Sequence, residues 1–194
     1  MYFFGGTAAR KVGSSMKNPT SLRKLILAAM FIAIGFVLPF ITGSIPQIGS
    51  ALLPMHLPVL IAGFVCGGPW GAAVGAVLPL MRHFLLGMPP LMTAIAMTFE
   101  LAVYGLMTGL LYKLLPKKPV FVYVSLLAAM ILGRVAWGVA RFALMGLGQS
   151  EFSLAAFWAG GFATAVPGIV LQIVLIPVII LALQRAGVME GSEK

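Results

Sequence analysis

Long apolar segments dominate this chain and restrict what it can fold into. Four of them, residues 25–42, 93–115, 120–147 and 154–183, contain few charged residues. Each is long enough to cross a hydrocarbon layer of about 30 Å, for which a helix needs about 20 residues. Only 9% of all residues are charged, whereas soluble domains carry roughly 25%. The sequence therefore predicts an all-α integral membrane protein.

The number of membrane spans depends on how residues 57–81 fold. This segment, LPVLIAGFVCGGPWGAAVGAVLPLM, is either one helix or two helices separated by the Gly-Gly-Pro turn signal at 67–69. Six spans place the three lysines between residues 113 and 118 on the same side as the basic N-terminus, whereas five spans place them on opposite sides. Because positively charged loops remain in the cytoplasm, we predict six spans, the second of which begins near Leu52.

These spans predict a compact bundle of six transmembrane helices with both termini in the cytoplasm. Residues 1–21 form an N-terminal tail, residues 22–187 the bundle, and residues 188–194 a C-terminal tail. Small residues four positions apart, as in Gly71/Gly75 and Gly105/Gly109, predict close helix packing.

Composition also excludes several classes of function. The chain has 13 Lys and Arg and only 4 acidic residues, but the lysines lie in short loops and tails, which indicates membrane topology rather than nucleic-acid binding. The single cysteine, Cys66, excludes a disulfide framework. Aspartate is absent, as are a phosphate-binding loop and a zinc motif. We therefore expect no catalytic residues, no metal site, no cofactor and no ATP hydrolysis by this chain.

Four charged side chains are predicted in or near the spans: Arg82, Glu100, Arg134 and Arg141. A charge at the centre of a membrane costs about 2.5 to 3.5 kcal/mol, so such residues normally face the protein interior or a wet cavity. Arg134, Trp137 and Arg141 share one helix face, and Glu100 and Tyr104 share another. We expect these groups to converge in the outer half of the bundle.

The charge balance of this region favours an anionic ligand. Glu100 is the expected partner of the central Arg134, which leaves two arginines without a counter-charge. A small anion entering from outside would neutralise them, and the planar guanidinium binds a carboxylate through two hydrogen bonds. The alternative is that Arg82 and Arg141 extend to the outer membrane surface.

The candidate binding residues are the embedded charges together with nearby polar, aromatic and methionine side chains, a mixture typical of small-ligand pockets. They are Arg82, His83, Met97, Glu100, Tyr104, Arg134, Trp137, Arg141, Trp158 and Gln172. Met97 and Trp158 fit simple packing better than ligand contact, and Gln172 fits both equally. His56 is interpreted as a loop residue.

Two stretches then resemble a known family. They are RKLILAAMFIAIGFVLPF, with Ala29 and Ala33 four positions apart, and the long run from LPMHLPVL to GLLYK, residues 53–113. The chain after residue 20 resembles the substrate-binding S component of energy-coupling factor (ECF) vitamin transporters, and most of all the pantothenate-type group. The resemblance implies the S-component fold in a prokaryotic cell membrane.

The resemblance also implies a mechanism and partners. An S component binds a vitamin or precursor near the outer face, and loops close over it. Ala29 and Ala33 would contact a transmembrane scaffold subunit, which is driven by two ATPase subunits, and the S component would topple in the lipid bilayer to deliver its ligand. Arg141 or Arg82 would bind the carboxylate of pantothenate, while Glu100, Tyr104 and Gln172 would bond its hydroxyl and amide groups and Trp137 would pack on its carbon skeleton. Lipoate fits the charge equally well.

Three other classes of function stay open at this point. One is an autonomous secondary transporter of a small organic anion, in which Glu100 and an arginine form a proton-linked switch. The others are an intramembrane enzyme, for which Glu100 is the sole embedded acid, and a purely structural subunit.

Overall fold

The chain forms six helices within the parts that the structure describes. This computed structural model describes residues 19–42, 52–147, 165–187 and 189. In chain order the helices are α1 (Pro19–Thr42), α2 (His56–Cys66), α3 (Gly68–Leu86), α4 (Leu91–Leu114), α5 (Pro119–Leu147) and α6 (Val166–Arg185). The predicted all-helical fold is confirmed for these residues.

The predicted interruption of segment 57–81 is present at Gly67. Helix α2 ends at Cys66 and α3 begins at Gly68, and the φ angle of Gly67 between them is 91°. Glycine adopts this conformation readily because it has no Cβ. Pro69 lies in the first turn of α3, where its missing N–H leaves no hydrogen bond unmade. The two-helix interpretation of this segment is therefore confirmed.

Four of the described helices are long and apolar enough to cross a membrane. These stretches are Ser21–Ile41, Leu91–Leu114, Pro119–Leu144 and Val166–Arg185. Helix α2 is shorter than expected for a span: its 11 residues rise only about 16 Å, roughly half of a hydrocarbon core. The reason is that residues 52–55 form a turn, so the helix begins at His56 rather than near Leu52.

Helix α4 is packed against α2, α3 and α5. Gly105 of α4 touches Gly71 of α3 so closely that a Cβ on either residue would overlap the backbone of the other. Gly63 of α2 meets the Gly105 carbonyl in the same way. The small residues therefore serve close packing within the chain, as their spacing predicted.

The two ends of the bundle are named here by their connections. The upper end carries residues 87–90, which join α3 to α4, and the lower end carries residues 115–118, which join α4 to α5. Short connections join α2 to α3, α3 to α4 and α4 to α5, so α2 and α4 run downward and α3 and α5 run upward. Arg82 near the upper end contacts Phe36, so α1 runs upward, and Gln184 near the lower end contacts Tyr112, so α6 runs downward.

Candidate functional site

Glu100 is the only acidic residue in the described part of the chain, and it lies in the interior. Helix α4 begins at Leu91, directly after two prolines that end the preceding connection. Glu100 is nine residues further along, which places it about 14 Å below the upper end of α4. Its exposed fraction is 1%. A carboxylate this deep in an apolar bundle needs partners, because desolvation strongly disfavours its charge.

Arg134 of α5 is the partner of Glu100. Arg134 Nη1 lies 2.9 Å from Glu100 Oε1, and the exposed fraction of Arg134 is 5%. Gly133 allows α5 to lie close to α4 beside this ion pair, because a Cβ at position 133 would overlap the ring of Tyr104 on α4. The expected contact between Glu100 and Arg134 is therefore confirmed.

His56 is the third ionisable side chain around this carboxylate, and its interpretation as a loop residue is wrong. It is the first residue of α2, is 1% exposed, and places Nε2 3.3 Å from Glu100 Oε1. Its ring lies 5.4 Å from that of Tyr104 at an angle of 62°. Tyr104 in turn hydrogen-bonds to the Glu100 carboxyl group. We call His56, Glu100, Tyr104 and Arg134 the Glu100 cluster.

Several polar atoms of the Glu100 cluster lack hydrogen-bond partners within the described residues. They include Arg134 Nε and Nη2, both ring nitrogens of His56, and Glu100 Oε1, whose ion-pair contacts are close in distance but not at hydrogen-bonding angles. Most buried polar groups in folded proteins are paired with protein or water. The cluster therefore has unused capacity to bind the polar groups of a ligand or water.

The rise of the helices allows the depth of Gln172 on α6 to be compared with that of Glu100. Near the lower end, the Gln184 side-chain amide donates a hydrogen bond to the Tyr112 hydroxyl, which brings these parts of α6 and α4 to the same level. Both helices run downward, and twelve residues back along each one, about 18 Å, are Gln172 and Glu100. Gln172 is 1% exposed, and neither its amide nitrogen nor its amide oxygen has a partner among the described residues.

Arg82 and His83 lie outside the Glu100 cluster, at the upper end of α3. Arg82 Nη1 donates a hydrogen bond of 2.6 Å to the Phe36 carbonyl, and its guanidinium carbon lies 5.6 Å and 5.2 Å from the ring centres of Phe36 and Phe40. The Nδ1 atom of His83 lies 2.8 Å from the Pro89 carbonyl oxygen. These contacts join α3 to α1 and to the α3–α4 connection.

Arg141 and Trp137 continue upward from Arg134 on α5. The guanidinium carbon of Arg141 is 5.7 Å from the Trp137 ring centre, and Arg141 Nε has no partner among the described residues. Both side chains are partly buried, as is Met97, which packs against the hydrophobic core. Trp158 lies outside the described residues.

The two alanines of the proposed partner interface lie on an open surface. Ala29 and Ala33 are exposed on α1, which is the least buried of the four long apolar helices. Large apolar side chains surround them on the same face, including Ile26, Met30 and Val37. This face packs on no other described helix.

The chemistry available at the Glu100 cluster is recognition by hydrogen bonds and charge. Within the described residues, no three metal-ligating side chains lie close enough to hold a metal ion. Of the candidate residues, the fold brings together Glu100, Tyr104 and Arg134, with Gln172 at their depth and Arg141 above them. The sequence analysis did not place His56 in the site. The available signal was that His56 is a polar side chain among apolar residues, and a polar side chain that is buried needs a polar partner.

Comparison with protein families gives a match that covers most of the chain. The model of the family described as ECF transporter, substrate-specific component, matches residues 23–180. Comparisons with curated proteins and with solved structures gave no significant match. Since the matched region runs from α1 into α6 and exceeds half of the chain, this protein belongs to the substrate-specific components of ECF transporters.

Proposed function

We propose that this chain binds a small water-soluble vitamin or precursor, the pantothenate anion, and delivers it through the ECF complex. Substrate-specific components work with an ECF scaffold subunit and ATPase subunits in the membrane. In our proposal the chain crosses the cell membrane of a prokaryote six times, with both termini in the cytoplasm and the upper end of the bundle outside.

The Glu100 cluster is the observation that carries this proposal. It combines a nearly buried arginine that has two unused donor nitrogens with a carboxylate, a phenol and a histidine. Binding energy is available there because a ligand would pair groups that are already desolvated. A small molecule with a carboxylate, hydroxyls and an amide matches this set of donors and acceptors, and pantothenate carries all three.

The positive charge on α5 supports an anion as the ligand. Within the described part of the bundle core, Glu100 is the sole acid, while Arg134 and Arg141 lie two helical turns apart on one face. Arg82 already uses one nitrogen on the Phe36 carbonyl, so Arg134 and Arg141 are better placed to bind a carboxylate. Trp137 lies between them and offers an apolar surface for the carbon skeleton.

Delivery in this proposal depends on α1 rather than on the binding site. The exposed Ala29 and Ala33 leave a shallow surface on which the scaffold packs closely. The chain then topples as a body and carries its ligand to the cytoplasmic side. It catalyses no reaction, and transport requires the scaffold and the ATPase subunits.

Identification of the bound small molecule tests the proposal most directly. The full chain is purified in detergent, and co-purified small molecules are identified by mass spectrometry; binding of pantothenate is then measured by titration calorimetry. We expect a carboxylate-bearing vitamin or precursor. Uptake of that molecule into vesicles that contain this chain alone would contradict the proposal and favour an autonomous secondary transporter.

A further inference from the structure

We infer that an open groove on α6, at the lower end of the bundle, binds an anionic phospholipid. The phosphate of the lipid contacts Arg185, and one acyl chain lies along the apolar side chains above it. The groove is remote from the Glu100 cluster, so a lipid bound there is independent of the small molecule that the chain transports.

The groove lies along the last two turns of α6 and has a volume of about 580 Å³. Its lining residues are Val178, Leu181, Ala182, Arg185 and Ala186. Their spacing of three and four positions places them on one face of the helix, and Val178 is 59% exposed. Since every lining side chain except that of Arg185 is apolar, the groove suits a hydrocarbon chain that ends in one charged group.

The level of Arg185 in the membrane follows from the length of α6. The 20 residues of the candidate span Val166–Arg185 rise about 30 Å, the thickness of a hydrocarbon core. Arg185 ends this span and therefore lies at the level of the lipid headgroups. Above it, the exposed Val174 and Val178 continue the apolar face. Val174 is about 16 Å from Arg185 by helix rise, roughly the depth of one leaflet.

The guanidinium of Arg185 is available to a phosphate. Within the described residues, Arg185 makes no ion pair and no side-chain hydrogen bond. Lys117 at the same end is already engaged, because its ammonium donates a hydrogen bond of 2.7 Å to the Tyr112 carbonyl. The paired N–H groups of an arginine match two phosphate oxygens. Arg185 therefore offers a binding group for the headgroup of a phospholipid.

The charge of the lower end favours an anionic lipid over a zwitterionic one. The described residues at this end include six cationic side chains and no acidic one: Arg23, Lys24, Lys113, Lys117, Lys118 and Arg185. Clusters of Lys and Arg at a membrane surface attract anionic headgroups. The acids of the C-terminal tail, Glu190 and Glu193, lie outside the described residues. The expected occupant is therefore a phospholipid whose headgroup has a net negative charge.

The test measures binding of phosphatidylglycerol to the full chain, purified in detergent, by native mass spectrometry. Phosphatidylcholine with the same acyl chains is the matched ligand. We expect a one-to-one adduct with phosphatidylglycerol that is at least about fivefold tighter than the adduct with phosphatidylcholine, because only the former has a net negative charge. Binding of phosphatidylglycerol should weaken as ionic strength rises, because salt screens surface charges.

Two pairs of variants locate the lipid. Arg185→Gln should weaken binding of phosphatidylglycerol by about fivefold, whereas Lys113→Gln removes the same charge from the exposed end of α4, outside the groove, and should weaken it by less than about twofold. Ala182→Leu fills the groove without a change of charge and should weaken binding of both lipids. Ala73→Leu, exposed on α3, is its control and should have no effect.

Further measurements separate the groove from its surroundings. All four substituted positions are exposed, so the variants should fold, and unfolding in detergent checks this. The double variant Glu190→Gln, Glu193→Gln removes the acids of the C-terminal tail and should bind phosphatidylglycerol at least as tightly as the unmodified chain. Binding of pantothenate should be equal in all variants, because Arg185 lies about 20 Å below Gln172 by helix rise.

Three results would overturn the lipid site. Equal binding of phosphatidylglycerol and phosphatidylcholine rejects the preference for an anionic headgroup. Equal losses in Arg185→Gln and Lys113→Gln show a diffuse attraction by the lower end rather than a site on α6. If Arg185→Gln and Ala182→Leu leave lipid binding unchanged but reduce co-purification with the scaffold subunit, a protein occupies the groove instead.

Discussion

At the scale of single residues, the contact between Glu100 and Arg134 dominates the interior of this protein. Both side chains are almost completely buried, and their closest atoms are 2.9 Å apart. A buried ion pair contributes little net stability compared with apolar packing, but removing one partner leaves an uncompensated charge. Replacing either side chain alone is therefore expected to destabilise the folded protein.

Glu100→Gln should destabilise the folded protein by about 3 to 5 kcal/mol, because Arg134 then keeps a buried charge without its carboxylate. The measurement is thermal or denaturant unfolding of the purified chain in detergent. The double variant Glu100→Gln, Arg134→Gln removes both charges and should recover part of the loss. A single variant as stable as the unmodified protein would show that the pair is solvated or balanced by other groups.

The sequence indicated this pair but not its full surroundings. An acid and an arginine in the middle of apolar segments are expected to pair, because an unpaired charge in the membrane has a high free-energy cost. Hydropathy was therefore sufficient to predict their contact. The position of His56 depends on where α2 begins and on which helix packs beside it. Both are properties of the tertiary structure, and the residues next to His56, which are prolines and apolar side chains, do not predict them.

At the scale of helices, direct backbone contact holds α2, α3 and α4 together. In lipid the hydrophobic effect does not drive helices together, so close packing of small residues carries more of the stability. This contact also fixes α4, and with it Glu100 and Tyr104, relative to His56 at the start of α2. Close glycine packing therefore positions two sides of the Glu100 cluster.

Gly105→Ala should destabilise the chain by about 1 to 3 kcal/mol, the usual cost of overpacking. The added methyl group would overlap the backbone of Gly71, which has no side chain that could move away. Unfolding of the purified protein measures the effect. Ala73→Val is the control, because Ala73 is exposed on α3 and tolerates added volume; equal stability of both variants and the unmodified chain would contradict the packing.

Local sequence signals predicted the helix boundaries unevenly. The break at Gly67 was predictable because a Gly-Gly-Pro turn is specified by adjacent residues. The start of α2 was not, because the apolar segment continues upstream of His56 without a change in hydropathy. The turn at residues 52–55 shortens the helix, and its sequence, LLPM, is not distinctive.

At the scale of the whole molecule, orientation in the membrane decides which end of the bundle receives the substrate. The lysines near the lower end predict that this end faces the cytoplasm. Met88→Cys and Lys118→Cys test this, each in a Cys66→Ala background so that one thiol remains. In intact cells, a membrane-impermeant maleimide should label Cys at position 88, which is exposed at the upper end, and should label position 118 only after lysis. The reverse pattern would invert the proposed topology.

Assembly with the scaffold is the last property that the whole molecule must provide, and we propose that the exposed face of α1 makes this contact. The exposed face around Ala29 and Ala33 is apolar, and the two alanines are smaller than the exposed side chains beside them, so we expect that another helix can approach closely there. Ala29→Leu and Ala33→Leu add volume at these positions without touching the Glu100 cluster. We expect these variants to bind pantothenate but to be lost from the complex when the scaffold subunit is purified by affinity tag. Ala73→Leu, on an exposed part of α3, should remain in the complex. If both α1 variants still co-purify with the scaffold in normal amounts, the scaffold contacts a different face, and α1 would then face only lipid.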